Sequence, residues 1–157
     1  MIFRSPAAAE VVFKPGGGGF RVVFPGGYRV KIEQVSTRFG NTRGVIASSE
    51  RDDVKLYMQY LDYPAAAARE GQQRLLDGLR LGRTVKGRVR SEERFQFDGN
   101  PAQREVVDLQ VQGQPVIVAL DVLRGLRLYS VFSIVAYGKE DSEEVRRFIG
   151  SFELLSP

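Results

Sequence analysis

The sequence has no cysteine, no histidine and no tryptophan. Those absences exclude disulfides, thiolate nucleophiles, Cys/His zinc sites, His-ligated haem and any Ser–His–Asp triad, so polar chemistry falls to carboxylates, Arg, Lys, Ser, Thr and Tyr. Long apolar runs are missing too: nothing approaches the roughly 18 residues of a membrane-spanning helix. The opening Met1-Ile2-Phe3-Arg4-Ser5-Pro6 lacks the apolar core of a signal peptide, which leaves both a cytoplasmic chain and a mature or trimmed form open. Lysine is scarce, since Arg supplies 18 of the 23 basic residues. The basic groups are spread out: residues 1–83 carry 13 against 8 acidic groups, and residues 84–157 carry 10 against 11. A net charge of +4 without a basic tail reads as codon bias rather than as a phosphate-binding surface.

What is present is a chain of 157 residues, a length that suits one domain. Four consecutive glycines, Gly16 to Gly19, cost backbone entropy in any regular element, so residues 1–19 read as a flexible lead-in and residues 20–157 as a single folded domain. From Phe20 the pattern has the period of strands. Phe20 to Phe24 stops at Pro25-Gly26-Gly27, and Tyr28, Val30 and Ile32 then alternate with Arg29, Lys31 and Glu33. Arg43 to Ser49 and Val54 to Tyr63 continue the series, with Pro64 closing the second. Ala65 to Leu81 contains no β-branched residue and repeats Ala68, Leu75, Leu76 and Leu79 at helical spacing, which predicts an amphipathic helix weakened at Gly71 and Gly78.

After Gly82 the period returns to two. Thr84–Phe97, Glu105–Gln112, Val116–Leu123 and Leu126–Tyr137 read as a meander of strands. The last of these is apolar on both parities and must be covered on both sides. Asp141-Ser142-Glu143-Glu144 then caps a helix whose Val145, Phe148, Ile149 and Phe152 form one stripe. Strands, helix, meander, helix is an α+β order with an antiparallel sheet.

Few residues point to chemistry. Lys86, Arg88 and Arg90 alternate on one strand, about 7 Å apart, near the spacing of phosphates along one nucleic-acid strand. Phe95 and Phe97, which could stack on bases, fall on the opposite parity unless a bulge intervenes. A solvated sheet edge is the plainer reading of this stripe. The carboxylate neighbours Asp52/Asp53, Glu92/Glu93 and Glu143/Glu144 point apart rather than onto one substrate atom, as acid–base catalysis requires. No cofactor signature and no metal-ligand spacing is present, and the residues predict a two-sided core that leaves only its rim for recognition.

Several residues taken together are familiar: Phe20-x-Val22-x-Phe24-Pro25-Gly26, Tyr57-x-x-Tyr60-x-Asp62-Tyr63-Pro64, Arg104-Glu105, Leu128-Tyr129 and Arg147-Phe148-x-x-Ser151-Phe152. As a set, over about residues 20–155, they resemble small bacterial domains of the Mog/PsbP fold, named for a Ran-binding nuclear factor and an extrinsic photosystem subunit. The resemblance implies an α/β/α sandwich, with an antiparallel sheet of six to seven strands flanked by helices on both faces. It also implies a non-enzymatic accessory domain without cofactor, another protein as partner, and the bacterial envelope or periplasm as location. Tyr63, Arg104 and Glu105 sit at strand ends in this family and are the binding candidates, Arg104 as a guanidinium for a carboxylate; an internal Arg104–Glu105 pair that pins a turn is the plainer alternative. The basic face of Lys86, Arg88 and Arg90, binding nucleic acid or another anionic polymer, is the second reading, and a small hydrolase ranks last.

Overall fold

Alternating sequence becomes strand pairing over most of the chain. A computed structural model describes residues 9–51, 53–84 and 87–156, the side chains of residues 80–84 excepted. Strands β3 (Arg29–Thr37), β4 (Gly40–Arg51) and β5 (Val54–Asp62) form a meander, and β6 (Gly87–Phe97), β7 (Asn100–Leu109), β8 (Val116–Arg124) and β9 (Arg127–Val135) form a second. They join as one antiparallel sheet in the order β3-β4-β5-β9-β8-β7-β6. The doubly apolar strand read from the sequence is β9, paired to β5 on one side and β8 on the other. Its odd positions Tyr129 and Val131 are buried with Phe20, Phe24, Leu56, Met58, Phe148 and Phe152. On its opposite face Leu128 is buried with Leu61, Leu75, Leu76 and Leu123.

The molecule is an α+β domain built mainly of antiparallel sheet. The sandwich expected from the sequence, with helices on both faces, takes a different form: among the described residues there are two α-helices, α1 (Gln72–Thr84) and α2 (Glu143–Gly150), and a second sheet shares the covering. That second sheet has the order β1-β2-β10, from β1 (Val11–Phe13), β2 (Phe20–Phe24) and β10 (Glu153–Leu154). Helix α2 begins as its sequence dictates, with Ser142 as N-cap accepting from Val145 N and two carboxylates in the first turn. The single helix predicted from Ala65 is instead a 3-10 turn, Ala65–Arg69, and then α1, because Gly71 adopts φ +79° between them.

The lead-in before Phe20 also differs from the sequence reading. Val11, Val12 and Phe13 pair with Phe24, Val23 and Val22, and Phe13 is buried. The glycine run is a turn held by three side chains that lie more than 100 residues away. Tyr129 Oη donates to Gly18 O at 2.7 Å, Arg127 donates to Gly17 O at 2.5 Å, and Arg124 donates to Gly19 O at 3.1 Å. Gly19 is required there: with φ +74°, a Cβ would stand 2.3 Å from the Arg124 guanidinium.

Candidate functional site

Helix α1 covers only part of its face of the large sheet. Leu75 and Leu76 seal one region, and beside them a groove of about 500 Å³ stays open between α1 and the end of the β3–β4 hairpin. Its floor is Leu61, Leu128 and Phe132, interrupted by the polar side chains of Gln59 and Ser130. One wall is Phe39, whose ring meets that of Tyr63 edge to face at 6.3 Å. The hairpin end is held by Thr37 Oγ1, which donates to Gly40 O at 2.6 Å and accepts from Phe39 N at 3.1 Å. At the rim, Arg38 lies over the Phe39 ring, and Arg38 and Arg74 both reach Glu70, at 3.3 and 3.6 Å. The sealed core expected from the sequence is therefore open on this side of β9.

Next to the groove the sheet buries a polar cluster. Gln103 directly opposes Asp121 across β7 and β8, and Glu105 follows two residues on, on the same face. All three are at most 1% exposed. Gln103 Nε2 donates to Glu105 Oε1 and to Asp121 Oδ2, both at 3.0 Å, and lies 3.4 Å from the Leu76 carbonyl of α1. Ser130 Oγ donates to Asp121 Oδ1 at 2.7 Å. Ser130 thus links the cluster to the groove floor. The sequence reading found no convergence among neighbouring carboxylates; the convergence that exists joins residues of adjacent strands. A lone Asp within the apolar run Val116 to Leu123 was its signal.

The three binding candidates separate. Tyr63 lines the groove; burial pushes its phenol above the ordinary value, the charge of Asp121 adds to that, and Arg38 opposes it. Glu105 is locked in the buried cluster. Arg104 points to the other face, as strand alternation demands, where its guanidinium lies 4.6 Å from the Phe95 ring centre and 3.7 Å from Glu93. No pair forms between Arg104 and Glu105: the partner of Arg104 is on β6.

The basic stripe is broken as well. Lys86 lies outside the described residues. Arg88 is exposed and opposes Asp108, but the register shifts between Val89 and Ser91, so Arg90 sits in a bulge. Arg90 hydrogen-bonds Asp108, and Glu140 at 2.5 Å. Hydrogen bonds from Arg90 hold the Glu140 carboxyl below its ordinary value. The bulge does bring Phe95 and Phe97 to the face of Arg88, yet both pack against the core, with Phe97 5.6 Å from Phe152.

The fold is of the PsbP-like class. Among the solved structures that match is the solution structure of cyanobacterial PsbP (CyanoP) from Synechocystis sp. PCC 6803, with a TM-score of 0.64 and 12% identity over 94% of this chain and 93% of that one. No family model and no curated protein matches the sequence. Among the described residues no helix is long and apolar enough to cross a membrane, and no group of three or more acidic residues is arranged to hold a metal ion.

Proposed function

We propose that this chain is a non-enzymatic accessory domain that binds another protein, inserting apolar side chains of the partner into the groove between α1 and the β3–β4 hairpin. The observation that carries this reading is the division of labour on that face. The open space presents Phe39, Leu61, Tyr63 and Leu128, whereas the carboxylates of Glu105 and Asp121 lie beneath α1 and are bonded to Gln103 and Ser130. An apolar concavity with a few polar points is a recognition surface, and the PsbP-like fold supports the same reading by analogy. A location in the bacterial envelope belongs to this proposal and is tested by cell fractionation.

The test replaces Phe39 with a photoreactive phenylalanine analogue in cells. One discrete cross-linked partner is expected at this position and none when the analogue stands at the exposed Gln96 of β6. No discrete adduct from position 39, or turnover of ester, phosphate or glycoside substrates that Asp121→Asn abolishes in a folded protein, overturns the proposal.

A further inference from the structure

The two edges of the seven-stranded sheet are built differently. At one end β6 is blunted: it carries the bulge at Arg90, and its charges are tied down, Arg90 to Asp108 and Glu140, Arg94 to Gln73 and Asp77 of α1. Such devices keep foreign strands off an edge. At the other end β3 pairs with β4 over nine consecutive residues without a register shift. Among the described residues no strand covers its outer side. It also exposes two β-branched residues on one face, Val30 at 51% and Ile32 at 64%.

From this we infer that β3 is a self-recognition edge that pairs with β3 of a second copy about a two-fold axis, continuing the sheet through both molecules. The charges select the partner. For a two-fold axis perpendicular to the sheet, opposed residues share a face, so their numbers sum to an even value. Centring on Val30 sets Arg29 against Lys31; centring on Lys31 sets Lys31 against itself; centring on Glu33 sets Glu33 against itself. Centring on Ile32 removes every like-charge contact. Lys31 then faces Glu33 of the second copy, Glu33 faces Lys31, Ile32 faces Ile32 and Val30 faces Gln34. In the single chain Lys31 and Glu33 already lie 2.9 Å apart, with Lys31 largely in solvent and Glu33 half-exposed, so both are available to exchange that contact for a cross-strand one. The charges of Lys31 and Glu33 are complementary to themselves in this one register and oppose like charges in the registers centred on Val30, Lys31 and Glu33.

The experiment is sedimentation of the full chain over a concentration series reaching about 1 mM, where weak specific contacts are populated. The weight-average mass of the wild type is expected to rise from 17.5 kDa toward twice that value. Lys31→Glu and Glu33→Lys each place like charges opposite at both contacts and are expected to weaken self-association by roughly tenfold or more. An equimolar mixture of the two variants restores both opposite-charge contacts and is expected to recover wild-type association as a heterodimer. The double variant K31E/E33K is expected to associate as the wild type does. Both positions are at the solvent surface, and circular dichroism confirms that the variants fold. A wild type that stays monomeric throughout, single variants that associate as the wild type does, or a mixture that stays monomeric overturns the inference. None of these outcomes bears on cross-linking at Phe39, which lies outside the paired residues.

Discussion

The two faces of the seven-stranded sheet carry opposite burdens. Where the three-stranded sheet lies on it, one face is aromatic and closed: Phe20, Phe24 and Phe148 are buried to 1% exposure or less, and Phe20 meets Tyr60, Tyr129 and Phe152 with ring centres 5.2 to 6.0 Å apart, while farther along that face a groove of about 610 Å³ opens between β6–β8 and α2. Against α1 the same strands bury Gln103, Glu105, Asp121 and Ser130 and leave a groove beside them. Burying hydrogen-bonded carboxylates is at best a neutral choice for stability compared with well-packed apolar side chains. The aromatic layer under the three-stranded sheet therefore supplies stability that lets the face under α1 stay incompletely filled.

Removing the same ring from each face gives the largest test of this contrast. Phe20→Ala deletes a fully buried side chain surrounded by four aromatic rings and is expected to cost about 3–5 kcal/mol. Phe39→Ala deletes a half-buried ring that borders space already open, and is expected to cost no more than about 1 kcal/mol because little new cavity forms. Urea denaturation of the two variants measures both values. Equal losses would mean that the groove is packed as tightly as the aromatic face, and the contrast would fail.

This contrast was only partly legible in the sequence. Strand and capping signals are local: alternation from Tyr28 to Glu33 produced β3, and Asp141-Ser142-Glu143-Glu144 produced the start of α2. The turn at Gly17 to Gly19 was not legible, because its partners Arg124, Arg127 and Tyr129 come from the far end of the chain. Nor was the bulge at Arg90, which depends on carboxylates from β7 and from the segment before α2. The groove depends on how far the β3–β4 hairpin stands over α1, a tertiary distance that no periodicity encodes. Of the candidate site, Tyr63 is legible as the strand-end residue before Pro64 and lines the groove, while Phe39, Gln103 and Asp121 carry no local signal beyond the lone Asp in β8.

A substitution that leaves the aromatic face alone sharpens the comparison with a smaller effect. Gly78 lies within α1 and lines the groove, and a Cβ added there meets no heavy atom within 4 Å. Gly78→Ala is expected to stabilise the protein by about 0.5–1 kcal/mol, since alanine loses less backbone entropy in a helix and nothing must move to admit it. A rise in Tm with unchanged cross-linking at position 39 is the predicted result. Destabilisation would mean that the groove is narrower at Gly78 than the structure makes it.

The smallest expected effect concerns acid, at the end of the strand pair that underlies both faces. Arg127 donates to both oxygens of Asp62, at 2.7 and 2.9 Å, and those hydrogen bonds hold the Asp62 carboxyl below its ordinary value against the opposing effect of partial burial. A carboxyl whose folded pKa is depressed contributes stability that is fully present above its unfolded pKa, near 4. That contribution is lost as pH falls through the lower folded value. The Asp62 side chain is 60% exposed, so solvent screens the pair and its contribution is no more than about 0.5 kcal/mol. Asp62→Asn is therefore expected to be slightly less stable than the wild type at pH 7, with the two stability curves converging below about pH 4. Arg127 also holds the glycine turn that leads into β2, so Arg127→Ala is expected to lose more than Asp62→Asn and to keep part of that deficit in acid, where carboxylate pairing no longer operates. Curves for the two variants that coincide at every pH would show that the turn gains nothing from Arg127 beyond what Asp62 accounts for.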